Sequence, residues 1–258
     1  MSDTPAPATS ARLSLSAKAI TWTLAIMALV LALLGFGAHM ASDREDLDLL
    51  WPFARQFDFG QEGNFVNWYQ SVTLLACAAL PGAIALLEKC AGAPRVGHWA
   101  VMAAVMAFVA MDEAAPVHEQ TINAFVGALA DSGDAKPADH GGGDVDQDPL
   151  GGATWMFLYL PAAAVLGAFY FRFFLVLPPR TRWGFIGAAA LYLGGAVGVE
   201  MIYERTAGID GGETPLSWSL DTGSELGEML GVAVFAGTLA AYIAREHGAL
   251  RVEFRAKD

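Results

Sequence analysis

Six stretches of the chain are apolar and almost free of charge, at about 20–40, 65–87, 96–115, 155–177, 183–203 and 224–244. Each is near the roughly 20 residues that a helix rising about 1.5 Å per residue needs to cross a hydrocarbon core about 30 Å thick. Inside lipid the backbone has no water to bond to, so runs of this length satisfy it only as helices. The pattern predicts an all-α integral membrane protein, a bundle of six transmembrane helices. The first stretch exceeds the roughly 7–15 apolar residues of a signal-peptide core, and Met40 is a poor residue before a cleavage site, so it reads as a span. Pro81 within the second stretch predicts a kink there.

The segments between the spans are polar, and each predicts something different. Residues 1–16, with Pro5, Pro7 and several Ser and Thr, read as a disordered tail, and 249–258 as a second short tail. The 41–64 loop mixes acid with Trp51, Phe53, Phe57 and Phe59, a composition suited to lying in the headgroup region. The 120–154 loop is rich in Asp and Gly. Within it Asp144, Asp146 and Asp148 alternate like calcium ligands, but Pro149 stands where an EF-hand loop needs glycine, so calcium at 144–148 is a weak signal.

Composition sharpens the picture: 55% of residues are hydrophobic and 16% charged, against roughly a quarter charged in soluble domains. The net charge of −12 hides a segregation of signs, because with six spans eleven of the 15 Lys and Arg fall on the side of the termini. Positive residues favour the cytoplasmic side, so both termini are predicted to be cytoplasmic, in a bacterial-type inner membrane, with the two acidic loops outside. Nucleic acid is excluded as a partner by the acidic balance. Cys77 and Cys90 have no spacing for a disulfide framework or a zinc finger and read as packing thiols.

Against this apolar background the carboxylates stand out. Asp112, Glu113, His118 and Glu119 close the third span around Pro116, Glu200 and Glu204 close the fifth, and Asp221, Glu225 and Glu228 open the sixth. At about 1.5 Å per residue, Asp112, Glu200 and Glu228 lie roughly 20–26 Å from the cytoplasmic ends of their helices, which puts them in one outer layer. Glu200 and Glu204 are one turn apart, and Asp221, Glu225 and Glu228 form an i, i+4, i+7 stripe, so each helix presents one acidic face. Ionisable groups within a membrane are costly and mark function by default. Carboxylates sharing such a layer repel one another when all are ionised, so metal ions, retained protons or a cation such as Arg205 must neutralise them.

His118 beside the carboxylates favours iron, manganese or zinc over calcium or magnesium. Di-iron bundles place a Glu-x-x-His motif on each of two helices; here the spacing is Glu113-x4-His118 and occurs once, with His39 at a level to offer a second imidazole. The expected site is therefore Asp112, Glu113, His118, Glu119, Glu200, Glu204, Glu225 and Glu228 around a divalent or transition metal, held by helices three, five and six. Such a centre suits oxidation or hydrolysis of a lipid or apolar substrate. The alternatives are a cation- or proton-coupled transporter, and an accessory subunit of a membrane complex in which the carboxylates clamp helices together. Bare spans below the acidic layer argue against a conduction path. No mid-span Lys for a retinal, no His pairs of a desaturase or ceramidase-like hydrolase, and no paired haem ligands are found.

Overall fold

The computed structural model describes residues 16–42, 51–59, 63–115, 117, 156–199, 201–203 and 214–248. Among the described residues six long helices follow in order: α1 Ala17–Ser42, α2 Phe65–Cys90, α3 Val96–Ala114, α4 Met156–Val176, α5 Pro179–Leu193 and α6 Pro215–Glu246. A short helical turn at Trp51–Phe57 precedes α2, and α5 continues as a π-helical stretch, Gly194–Val199. Among the described residues there is no strand. Five of the helices (α1, α2, α3, α5 with its continuation, and α6) are long and apolar enough to cross a membrane, and α4 is apolar over Leu160–Val176. The tails 1–15 and 249–258, the 120–154 loop with its 144–148 motif, and the His39 side chain lie outside the described residues.

Local chemistry fixes where these helices start. Asn64 caps α2, its side-chain oxygen accepting from the backbone N–H of Val66 at 2.9 Å and of Asn67 at 3.1 Å. α6 extends nine residues upstream of 224 because Thr214 and Ser217 form a reciprocal capping box with Pro215 at the first turn. Apolarity alone marks α6 only from about 224, whereas the cap lies ten residues earlier, before Asp221. α5 starts on Pro179 after extended Pro178, and α2 runs through Pro81 to Cys90. Past α2 the chain turns at Gly92, whose φ of +67° suits a residue without a side chain.

Three apolar layers stack along the bundle. At one end Ala28, Leu31 and Ala32 of α1 meet Phe59, Val66 and Met229. In the middle lie Leu74, Cys77, Ala110, Val232 and Ala236, and at the other end Ile84, Trp99, Phe173, Leu239 and Tyr242. Residue numbers rise through these layers in α2 and α6 and fall in α3, so α2 and α6 run together and α3 runs against them. Phe59, 7% exposed, plugs the first layer against Gly35, where any Cβ would strike its ring. In the same segment Phe53 is 67% exposed.

Charge divides between the two ends. The end holding the α2–α3 and α4–α5 turns and the last turn of α6 carries Lys89, Arg95, Arg172, Arg180, Arg182 and Arg245. There Glu88 accepts from the Tyr242 hydroxyl at 3.3 Å and lies 3.5 Å from His247 Nε2, and Arg245 donates to buried Thr181 at 3.1 Å. The opposite end holds Asp58, Asp112, Glu113, Asp221, Glu225 and Glu228.

Candidate functional site

The acidic end is organised by a close crossing of α5 and α6. A Cβ on Gly195 would collide with the Ser224 carbonyl, and one on Gly231 would sit 2.8 Å from the Ala188 carbonyl and the Tyr192 backbone. Gly227 faces the Gly195 Cα in the same seam, and the Ser224 hydroxyl donates to the Gly195 carbonyl at 3.0 Å. Small residues allow this backbone approach, as they do between membrane helices generally. Of the five glycines in α5 and its continuation, Gly195 makes this contact and Gly184 packs against Thr238 of α6, whereas a Cβ on Gly187, Gly194 or Gly198 would meet nothing within 4 Å. The crossing falls within the π-helical stretch, a distortion that is frequent at functional sites.

This seam carries Tyr192 to the acidic stripe of α6. The Tyr192 hydroxyl hydrogen-bonds to Glu228 and lies within electrostatic reach of Glu113 and Glu225. Glu225 in turn has Glu228, Glu113 and Asp221 as charged neighbours. Glu113, Glu225 and Glu228, expected from the sequence to share a layer, therefore surround one tyrosine. Asp112 is one residue before Glu113 and so about 100° around the helix from it. Val199, the last residue of the π stretch, lies against Gly223 on α6. The remaining expected ligands, His118, Glu119, Glu200 and Glu204, lie outside the described residues.

Helix α2, absent from the expected site, supplies its uncharged polar wall. Asn67, Gln70 and Ser71 follow at i, i+3 and i+4 and so share one face. Asn67 Nδ2 donates to Glu113 at 3.3 Å, and Gln70 Nε2 donates to Glu225 at 3.2 Å. Gln70 is 2% exposed, yet its Oε1 has no hydrogen-bond partner among the described residues; nor do Asn67 Oδ1, Ser71 Oγ and Thr222 Oγ1. Buried polar atoms are almost always satisfied, so each orphan asks for a bound ion, water or ligand. Two of the four are amide oxygens, which only accept. Added to carboxylates, they make a site rich in acceptors among the described residues. Among the described residues no three His, Cys, Asp or Glu side chains are arranged to hold a metal ion.

Directly inward of this layer the bundle is apolar. A cavity of about 420 Å³ lies between α2, α3, α4, α5 and α6, walled by Leu74, Met106, Val109, Phe174, Phe185, Val232 and Phe235 among others. Tyr192 belongs to this wall as well as to the carboxylate layer, so the phenol ring joins the two. The volume is within the roughly 300–1,000 Å³ of small-molecule sites. The polar groups the sequence reading missed, Asn67, Gln70, Tyr192 and Thr222, carry no charge. For Asn67 and Gln70 the signal was their i, i+3, i+4 spacing with Ser71 at the start of an otherwise apolar span; Tyr192 and Thr222 had none.

No curated protein matches the chain, and no solved structure does. A family model, described as a domain of unknown function (DUF8692), matches residues 15–242. The match covers most of the sequence, and the chain belongs to that family.

Proposed function

We propose that this is a six-span inner-membrane protein, both termini cytoplasmic, that binds a lipid or other apolar substrate with its reactive group at the carboxylate layer. Glu113, Glu225 and Glu228, together with Asp112, His118, Glu119, Glu200 and Glu204, hold a divalent or transition metal there, iron, manganese or zinc. Bound in that layer, the metal supplies Lewis-acid or redox chemistry for hydrolysis or oxidation, and a carboxylate serves as general base. The observation that carries the reading is the junction at Tyr192: an apolar cavity of about 420 Å³ ends on a layer of carboxylates and partnerless amide oxygens. Membrane lipids are the surrounding partners, and a hydrocarbon chain fits the cavity wall.

A second reading has support of its own. The Asn67–Glu113 and Gln70–Glu225 hydrogen bonds tie α2 to α3 and to α6, as a non-catalytic polar clamp in an accessory subunit would. Transport is disfavoured, because among the described residues the spans carry no carboxylate or basic side chain over 71–87, 99–111, 184–199 and 229–244, below the cluster.

A photoactivatable fatty alcohol with a diazirine near its hydroxyl separates substrate binding from the clamp. In the full chain, labelling is expected on the α5 and α6 peptides around Tyr192 and Val232, and an unlabelled alcohol should suppress it. Labelling confined to lipid-facing side chains such as Leu33 and Val165, 73% and 70% exposed, would overturn the substrate reading.

A further inference from the structure

The basic end carries a second recess, separate from the carboxylate layer. It is about 460 Å³, lies between the start of α3 and the last turns of α4, and its lining includes Arg95, His98, Phe169, Arg172, Phe173 and Val176. Two guanidinium groups thus open on one space. Arg95 occupies the N-cap position of α3 without using its side chain as a cap, and neither it nor Arg172 forms an ion pair among the described residues. Of the carboxylates at this end, Glu88 accepts from Tyr242 and lies 3.5 Å from His247 Nε2, and Glu246 acts on the same Tyr242. Neither forms an ion pair with the two arginines among the described residues, which leaves the guanidinium groups to a ligand.

The recess is built rather than incidental. The His98 ring stacks on Phe169 at 5.0 Å and on Phe173 at 4.8 Å, and the Tyr170 hydroxyl donates to the His98 carbonyl at 2.7 Å. These contacts fasten the first turn of α3 to α4 and leave the imidazole edge as the polar part of His98. Arg172 sits four residues before the end of α4, about 6 Å inward at about 1.5 Å per residue. It reaches the interface by extending its stem, as arginines near span ends do.

The face that carries Arg172 shows what the ligand must be. Val165, Phe169, Arg172 and Val176 recur at i, i+4, i+7 and i+11, one side of a helix. Val165, Phe169 and Val176 are 70%, 47% and 54% exposed, a lipid-facing stripe interrupted by one charge. A ligand filling this place must be anionic at the level of Arg95 and Arg172 and hydrocarbon along Phe169 and Val165. Arginine forks match phosphate oxygens in pairs, and basic pockets between spans take anionic lipid headgroups. We infer that Arg95, His98 and Arg172 form a binding site for an anionic phospholipid, its phosphate between the two guanidinium groups and an acyl chain along the outer face of α4. The inference does not rest on the proposed function.

Native mass spectrometry of the full chain, with phosphatidylglycerol or phosphatidylcholine added in equal amount, tests it. The wild type should hold phosphatidylglycerol in preference, and Arg95→Gln and Arg172→Gln should each reduce that preference about fivefold, as expected for about 1 kcal/mol per basic residue. Arg172→Lys should retain part of it, and the double variant Arg180→Gln/Arg182→Gln, which removes two charges at the same end outside the recess, should retain all of it. Failure of either recess variant to fold leaves Arg172→Lys and the Arg180/Arg182 pair to decide. No preference in the wild type, or equal losses in the Arg180/Arg182 variant and the recess variants, would overturn the site. Inorganic phosphate displacing the lipid at matched concentration would overturn the lipid assignment in favour of free phosphate.

Discussion

Gly231→Ala should weaken the protein and its site together. The added Cβ would lie 2.8 Å from the Ala188 carbonyl and the Tyr192 backbone, about 0.6 Å inside the 3.4 Å at which such contacts become ordinary. Two helix backbones form the seam, so no flexible side chain can yield, and α5 and α6 must separate. Overpacking of this kind costs roughly 1–3 kcal/mol. Alanine's better helix propensity returns no more than about 1 kcal/mol of it. Gly187→Ala is the matched control, since its Cβ meets nothing within 4 Å and only the propensity gain remains. Reversible unfolding of the purified chain in mixed micelles should show Gly231→Ala less stable than wild type and Gly187→Ala equal or more stable. Because Tyr192 lines the same seam, Gly231→Ala should also lower labelling by the photoactivatable alcohol. A Gly231→Ala protein as stable as Gly187→Ala would refute the argument that backbone contact positions the site.

Three further outcomes are expected. An alkaline phosphatase fusion should be active near Lys136 and inactive after Lys257; the reverse would overturn the orientation and the outward placement of the acidic layer. Deleting 141–148 should leave the metal content of the chain near wild type, and a large loss would join the loop to the main site. Ala189→Phe places a ring on the wall of the cavity of about 420 Å³ and should lower retention of a bound hydrocarbon chain about tenfold, or about 1.4 kcal/mol; unchanged retention would mean that the chain binds elsewhere.

The helices were legible because apolar run length is a direct consequence of membrane thickness, and the same logic separates the acidic from the basic end. Convergence of Glu113, Glu225 and Glu228 could be anticipated from depth counted along straight helices. What depth cannot give is the angular phase of one helix against another. That is why the sequence does not show which α5 glycines meet α6, as Gly184 and Gly195 do and Gly187, Gly194 and Gly198 do not, and why Gly227 and Gly231, interleaved with Glu225 and Glu228, went unread. Asn67, Gln70 and Tyr192 were overlooked because none of them carries a charge, the property by which Glu113, Glu225 and Glu228 stand out from the spans. Phe57 and Phe59 show a related ambiguity, since an aromatic that plugs a bundle and one that anchors in headgroups have the same composition. The early start of α6 depends on the reciprocal bonds of Thr214 and Ser217, which lie before its acidic stripe.

The measurement that tests the central claim most directly is metal analysis of the full chain purified without chelators, on the wild type and on Glu113→Gln, Glu225→Gln and Glu228→Gln. Glutamine keeps the size and removes the charge. If a metal neutralises the layer, the wild type carries a stoichiometric ion, each variant loses it, and thermal stability falls with it because metal binding is linked to folding. A wild type without metal, and three Gln variants with unchanged thermal stability, would contradict the account and leave the carboxylates as proton holders or a helix clamp.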